Sequence, residues 1–166
     1  MIKNSEILDN KLLLSTDKLN VVLDEWRKDN KKTVFTNGCF DILHSGHVEY
    51  LVRASEMGDK LIIGLNTDNS VKRLKGQNRP VNDELSRAKV LASLFFIDAV
   101  CLFDEDTPLE LIKAVKPDIL VKGGDYKPEN IVGFKEVTSY GGVVMSLDFI
   151  EGFSSTDIIN KLKQIK

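Results

Sequence analysis

The chain has 166 residues, of which 42% are hydrophobic and 29% are charged, and its formal net charge at pH 7 is −2. This size and composition are typical of a soluble globular protein with one sizeable core. The small negative charge gives no general attraction to nucleic acid or to an anionic membrane, so we expect neither as a partner. No run approaches the roughly 18 apolar residues of a membrane span, and the apolar cluster at 12–14 is too short for a signal peptide.

The two cysteines, Cys39 and Cys101, lie far apart in the sequence. Their number and spacing match neither a disulfide framework nor a zinc-binding motif. We therefore expect the protein to work in the reducing cytoplasm.

The N-terminal region contains one predicted helix. Residues 1–15 are polar with scattered leucines and give no clear prediction. Four large apolar residues then recur at helical spacing: Leu19, Val22, Leu23 and Trp26. They predict an amphipathic helix over 17–29, whose apolar face packs either on the rest of the chain or on a second subunit. We divide the chain into an N-terminal helical extension, residues 1–31, and a main domain, residues 32–166.

From residue 33 onward, short apolar runs alternate with amphipathic runs. The apolar runs are rich in Val, Ile and Leu and predict buried strands at 33–36, 60–65, 99–103, 119–122 and 143–147. The amphipathic runs predict helices at 47–56, 68–74, 83–96, 107–115, 134–140 and 155–164. This alternation predicts an α/β fold: a Rossmann-like, doubly wound parallel five-stranded sheet with an N-terminal helical extension.

Several helix boundaries carry local signals. Thr107 and Pro108 predict a helix start, with threonine as the cap and proline at the first helical position. Gly58 and Gly141 lie where the preceding helices should stop.

Polar and glycine-rich segments follow four of the five predicted strands. Ligands of such sheets bind beyond the carboxyl ends of the strands, so these segments predict one shared site. In chain order they are Asn37–His47, which we call the histidine loop, then Asn66–Asp68 with the basic segment Lys72–Arg79, then Gly123–Asp125, and shortly after the last strand Ser154–Thr156.

The histidine loop holds the only two histidines of the chain, His44 and His47, with Gly46 between them. The loop lies where a strand gives way to a helix, and the start of a helix favours phosphate. The histidines have two other interpretations. They could be a helix-capping or core pair, or they could form a metal site with Cys39 and Asp41, although this site lacks a convincing set of four ligands. We favour phosphate chemistry, in which both histidines donate to the α- and β-phosphates of a nucleoside triphosphate. They would stabilise the charge that grows as a phosphate oxygen attacks the α-phosphorus and pyrophosphate leaves.

Three further segments have both a structural and a functional interpretation. The basic segment is either a solvated loop or a phosphate clamp, in which Lys75 holds the triphosphate and Arg87 faces phosphate from the next helix. The segment Lys122–Asp125 is either a glycine turn or the support of a ribose and base. The hydroxyls of Ser154–Thr156 cap the last helix, and they are also able to hold phosphate.

The histidine loop resembles the His-x-Gly-His signature of the nucleotidylyltransferase superfamily, and more narrowly its cytidylyltransferase-like branch. From about residue 32 to the C-terminus the chain is similar to the heptose 1-phosphate adenylyltransferases. The chain is too short to hold the kinase half of the bifunctional forms, so it resembles the stand-alone form. The segments that carry this resemblance, besides the histidine loop, are Asn66–Asp68, Lys72–Gly76, Arg79–Val81, Asp106–Pro108, Leu120–Tyr126 and Glu151–Thr156.

The resemblance implies a reaction and a set of site residues. ATP and D-glycero-β-D-manno-heptose 1-phosphate would give ADP-heptose and pyrophosphate, with Mg²⁺, for the inner core of lipopolysaccharide. The enzyme would be a homodimer. The catalytic residues would be His44, His47 and Lys75. The nucleotide would contact Thr36, Asn37, Gly38, Cys39, Phe40, Gly46, Arg87, Lys122, Gly123, Gly124, Asp125, Ser154, Ser155 and Thr156. The sugar phosphate would contact Asp41, Asn66, Asp68 and Arg79, and we assign no metal-ligating residue.

Two alternatives stay open at this point. One is a cytidylyltransferase acting on glycerol 3-phosphate or a related small phosphate. Glycerol-3-phosphate cytidylyltransferases, which resemble this chain, have an arginine where this chain has Phe149, which argues against CTP. The other is a nucleotide-binding module without turnover. The intact histidine pair and Lys75 argue against this alternative. The sequence has no P-loop and no Gly-x-Gly-x-x-Gly motif.

Overall fold

A computed structural model describes residues 3–148 and 155–165 of the chain. Its strands are β1 (Thr33–Gly38), β2 (Lys60–Asn66), β3 (Ala99–Phe103), β4 (Ile119–Gly123) and β5 (Val143–Leu147). Its helices are α1 (Asn4–Lys11), α2 (Thr16–Lys28), α3 (Ser45–Ser55), α4 (Asp68–Lys75), α5 (Glu84–Ala92), α6 (Leu109–Val115), α7 (Phe134–Ser139) and α8 (Ser155–Gln164), with one 3₁₀ turn at Pro128–Asn130.

The five strands form one parallel sheet in the order β3-β2-β1-β4-β5. The chain winds outward from β1 through β2 to β3, then returns to the centre and winds the other way through β4 to β5. The prediction of a doubly wound, Rossmann-like α/β sheet is therefore confirmed. The direction of winding reverses between β1 and β4, and such a switch point opens a crevice at the carboxyl ends of the two strands.

The sheet buries both of its faces. Neighbouring side chains on a strand point to opposite faces, so Val34 and Phe35 of β1 belong to two different cores. The first core packs against α3 and α5, through residues such as Leu51 and Leu91. The second packs against α2, α6 and α7, through residues such as Leu23. This burial on both faces explains why the strands are continuously apolar in sequence.

The N-terminal region packs on the sheet. Leu19 and Leu23 of α2 are 3% and 1% exposed within the second core, so the apolar face of this helix covers the domain itself. The backbone N–H of Leu13 donates to the carbonyl of Val100 at 3.0 Å, which covers the outer edge of β3. Helix α1 was not predicted, because its only apolar residues, Ile7 and Leu8, are adjacent and show no helical spacing.

Most helices differ from their predicted bounds by one or two residues, and α5 and α6 show the differences with the clearest causes. Helix α5 is capped by Asp83, whose carboxylate accepts from the N–H of Ser86 at 2.9 Å, but it ends at Ala92 rather than at residue 96. The prediction that Thr107 caps α6 is wrong, because the helix begins at Leu109 and Pro108 occupies the capping position. Within 3–148 and 155–165, no helix has the length and apolar character needed to cross a membrane.

Candidate active site

A cleft of about 480 Å³ opens at the carboxyl ends of the strands, where the winding reverses. The predicted site residues that line it are Asn37, Gly38, Cys39, Phe40, Asp41, His47, Asn66, Lys75, Lys122, Gly123 and Ser155. Those that do not line it are Thr36, His44, Gly46, Asp68, Arg79, Arg87, Gly124, Asp125 and Thr156. Ser154 and Phe149 lie outside the described residues. Lining residues that the sequence interpretation missed are Tyr50, Leu74, Asp106, Thr107, Pro108, Tyr126 and Val132.

The two histidines stand together at the start of α3. His44 is the N-cap, and its Nδ1 accepts a hydrogen bond from the backbone N–H of His47 at 3.3 Å. The two rings stack with centroids 3.7 Å apart, and Phe40 packs edge-on against His47 at 5.3 Å. His44 thus has the capping role that the sequence left open, and this role also fixes the orientation of the pair. Across the described parts of the chain, no group of three or more His, Cys, Asp or Glu is placed to hold a metal ion.

Both histidines are uncharged at neutral pH. Burial, reinforced by the nearby His44 and Lys75, lowers the pKa of His47 to about 4. Burial also lowers the pKa of His44. The Nδ1 atom of His47 is buried and has no hydrogen-bond partner among the described residues. A neutral imidazole keeps one N–H donor, so each ring is able to donate one hydrogen bond without a net charge of its own.

The low pKa of His47 predicts a pH dependence of folding stability. Between pH 6.5 and about 4, the unfolded chain binds a proton at this residue that the folded chain does not, so stability falls as the pH falls. We expect His47→Ala to lose less stability than the wild type between about pH 7 and about pH 5 in urea denaturation. An identical loss in the two proteins would contradict the assigned pKa.

The floor of the cleft joins the ends of β1, β2 and β4. The ammonium group of Lys122 lies 3.3 Å from Oδ1 of Asn37, and burial lowers the pKa of Lys122 against an opposing effect of Cys39. The thiol of Cys39 donates to Oδ1 of Asn66 at 3.8 Å. On the far side, the hydroxyl of Ser155 at the start of α8 donates to the carbonyl of Ile42 at 3.0 Å. The floor of the cleft therefore carries polar side chains from all three strands, including the half-buried ammonium group of Lys122.

Tyr50 lies one helical turn beyond His47 and supports the cleft from below. Its hydroxyl is 2.6 Å from Oγ1 of Thr36 on β1 and donates to the carbonyl of Val121 on β4 at 3.3 Å. Burial raises the pKa of Tyr50 to about 12, so the phenol stays protonated. One hydroxyl therefore links the two strands of the switch point, in addition to their own backbone pairing.

Tyr50→Phe should therefore lower the free energy of unfolding by about 1 kcal/mol, the usual net value of a buried hydrogen bond. The comparison variant is Tyr140→Phe, whose hydroxyl donates to the carbonyl of Pro117 at 3.0 Å but belongs to a 45% exposed residue. Urea denaturation should rank Tyr50→Phe as the less stable variant. The opposite ranking would show that the link between β1 and β4 contributes little.

Arg87 has protein partners on all three of its nitrogens. The residue is 2% exposed, and its guanidinium donates to the carbonyl of Asn82 at 3.0 Å, to the carbonyl of Cys39 at 2.6 Å and to the carboxylate of Asp68 at 2.7 Å. The structure therefore does not support the prediction that Arg87 faces phosphate. Asp68 is likewise turned toward Arg87 rather than toward the cleft.

These features define an α/β protein with a doubly wound parallel sheet, a cleft at its switch point, and a histidine pair at a helix start beside that cleft. The chain belongs to the cytidylyltransferase-like family, whose model matches residues 35–161, and it is therefore a nucleotidyltransferase.

Two curated proteins are also similar to this chain. The chain is 53% identical over 154 residues to the bifunctional protein HldE of Histophilus somni, a match that covers 93% of this chain and 32% of the relative. It is 55% identical over 156 residues to HldE of Campylobacter jejuni, covering 94% of this chain and 32% of that relative. The chain thus spans about a third of the length of these curated relatives.

Two solved structures are also similar. The lipopolysaccharide core biosynthesis protein of Thermoplasma volcanium aligns with a TM-score of 0.60 and 31% identity, over 72% of this chain and 97% of that one. Pantoate-beta-alanine ligase of Francisella tularensis, solved with beta-gamma ATP and beta-alanine, aligns with a TM-score of 0.61 over 93% of this chain and 78% of that one. Its identity is 15%, so this second likeness shows the fold alone.

Proposed function

We propose that this nucleotidyltransferase transfers the adenylyl group of ATP to D-glycero-β-D-manno-heptose 1-phosphate, forming ADP-heptose and pyrophosphate for the lipopolysaccharide inner core. The observation that carries the proposal is the stacked pair of His44 and His47 at the start of α3, of which His47 lines the same cleft as Lys75 and Lys122. The similarity to HldE proteins and to a lipopolysaccharide core biosynthesis protein supports the choice of substrate.

In this mechanism a phosphate oxygen of the sugar phosphate attacks the α-phosphorus of ATP. A new phosphorus–oxygen bond forms, the bond between the α-phosphorus and the bridging oxygen breaks, and that oxygen leaves with pyrophosphate. The neutral imidazoles of His44 and His47 donate to the triphosphate oxygens, where negative charge grows. The positive end of the α3 dipole acts in the same direction. No side-chain nucleophile takes part.

The two lysines have different settings and hence different proposed roles. Lys75 is the exposed last residue of α4 and lines the cleft, so it would close on the triphosphate and the sugar phosphate together. Lys122 is half-buried in the floor beside Asn37 and would offer a fixed positive charge. We also propose that Mg²⁺ enters with the triphosphate as part of the substrate, as the resemblance to the adenylyltransferases implies.

The preference for ATP rests on the resemblance of the segment Lys122–Tyr126 to that of the adenylyltransferases. The second candidate is a cytidylyltransferase acting on glycerol 3-phosphate, which the family match keeps open. The homodimer is a further prediction from the family resemblance, and the cytoplasmic location is a further prediction from the sequence.

The experiment is pyrophosphate release from the purified protein with heptose 1-phosphate and, in parallel, ATP, CTP, GTP or UTP. Turnover with ATP alone is the expected result. Turnover with CTP, or a requirement for glycerol 3-phosphate as acceptor, would favour the second candidate. Binding of a nucleotide without pyrophosphate release from any pair of substrates would identify a binding module and overturn the proposed reaction.

A further inference from the structure

The segment between α4 and α5, residues 76–83, is bound to the histidine loop at Asp41, chiefly through the carboxylate of this residue. We call this segment the α4–α5 connection. Asp41 is 3% exposed, and its Oδ2 accepts from Nε of Arg79 at 2.6 Å. Its Oδ1 accepts from the backbone N–H groups of Val81 at 2.7 Å and Asn82 at 3.0 Å. The side-chain amide of Asn82 also donates to the carbonyl of Asp41 at 2.8 Å.

The charge of Asp41 is maintained by these contacts. Burial alone would raise the pKa of the carboxyl group, but the hydrogen bonds from Asn82, Arg79 and Val81 outweigh it and lower the pKa. The carboxylate is therefore ionised at neutral pH, and both of its oxygens are engaged by the α4–α5 connection. This arrangement holds a piece of backbone in place, although the sequence predicted Asp41 and Arg79 as ligands of the sugar phosphate.

The same network is linked to the end of α4. The carbonyl of Gly76, the residue directly after Lys75, accepts from the N–H of Arg79 at 3.1 Å, which links the end of the helix to the residue that Asp41 holds. The start of α4 is held separately, because Asp68 pairs with Arg87 at 2.7 Å and Arg87 in turn donates to the carbonyl of Cys39. Both ends of α4 are thus fastened to the histidine loop.

We propose that Asp41 is a positioning residue: its carboxylate locks the α4–α5 connection onto the histidine loop and thereby holds Lys75 across the cleft from His47. The role in turnover rests on the proposed function, whereas the locking of the connection does not. Asp41 acts through Lys75 and does not need to touch the substrate.

The first test measures amide hydrogen exchange in Asp41→Asn. The amides of Val81 and Asn82 should exchange about tenfold faster or more than in the wild type, because they lose a charged acceptor. The control is Asp118→Asn, which alters a carboxylate that accepts from N–H and Oγ1 of Thr33 at 2.7 and 2.9 Å, at the opposite end of the sheet. The control should leave these two amides protected. Wild-type protection of both amides in a folded Asp41→Asn protein would overturn the proposal.

A second variant keeps the test decisive if Asp41→Asn does not fold. Arg79→Gln removes the charged partner of Asp41 and leaves the two backbone donors in place. It should accelerate exchange of the same amides to a smaller extent. Unchanged exchange in Arg79→Gln, together with failure of Asp41→Asn to fold, would make Asp41 a general structural residue and reject the locking role.

The second test is a double-mutant cycle on turnover. Asp41→Asn should lower kcat by up to about 100-fold, since a misplacement of about 1 Å has this effect. In a Lys75→Ala background, Asp41→Asn should lower kcat only slightly further, because Lys75, the residue that Asp41 positions, is already absent. Independent, multiplicative losses would contradict the proposal. If the wild type releases no pyrophosphate with any nucleotide, the proposed function fails and the exchange measurement alone decides the locking role.

Discussion

Replacing His47 with alanine is expected to lower pyrophosphate release about 100- to 1,000-fold, the usual effect of removing one preorganised donor from a site of growing charge. The imidazole lines the cleft between the ring of His44 and the edge of Phe40, so its position is fixed before substrate arrives. ATP binding should change little, because Lys75, Lys122 and the start of α3 remain. The measurements are initial rates of pyrophosphate release and the dissociation constant of ATP.

The matched control is Ser45→Ala, which alters the exposed residue between His44 and Gly46. The turnover of Ser45→Ala should equal that of the wild type. This result would show that the lower turnover of His47→Ala comes from loss of the imidazole and not from disturbance of the helix start. Full activity of His47→Ala would reject the mechanism. A large rise in the dissociation constant of ATP with unchanged kcat would instead make His47 a binding residue only.

The architecture could be predicted from the sequence because each strand is buried on both faces. Such a strand appears in the sequence as a continuous run of apolar residues. Val34 and Phe35, adjacent on β1, are both 0% exposed yet belong to different cores. Helix α1 has no comparable signal, since its only apolar residues are the adjacent Ile7 and Leu8. The position of the cleft could also be predicted, because the carboxyl ends of parallel strands lie at one edge of a sheet.

The partners of the charged residues could not be predicted in the same way. Asp41 meets Val81 across 40 residues, and Arg87 meets Cys39 across 48 residues. The sequence shows that these residues are charged but not whether their partners are substrate or protein. Tyr50 is different, because it lies three residues after His47 on α3, and this helical spacing could have placed it on the same side of the helix.

The buried position of Arg87 predicts a large effect on stability. Arg87→Met removes all three donated hydrogen bonds and leaves the carboxylate of Asp68 without its cation. Breaking a buried ion pair costs about 3–5 kcal/mol, and because the Asp68 side chain is 28% exposed we expect about 3 kcal/mol here. For a chain of this length that corresponds to a fall in Tm of roughly 6–12 °C, measurable by thermal and urea denaturation.

The same variant separates a structural role of Arg87 from the phosphate contact predicted from the sequence. A structural arginine lowers Tm and leaves the KM for ATP nearly unchanged at temperatures where the variant is folded. A phosphate ligand would raise that KM and leave Tm in place. Arg73→Met is the matched control: Arg73 is 45% exposed and pairs with the exposed carboxylates of Asp104 at 3.5 Å and Asp106 at 3.0 Å, so its loss should cost less than about 1 kcal/mol. Equal stability of Arg87→Met and Arg73→Met would contradict the assignment. It would mean that the three buried hydrogen bonds of Arg87 stabilise the protein no more than the exposed ion pairs of Arg73.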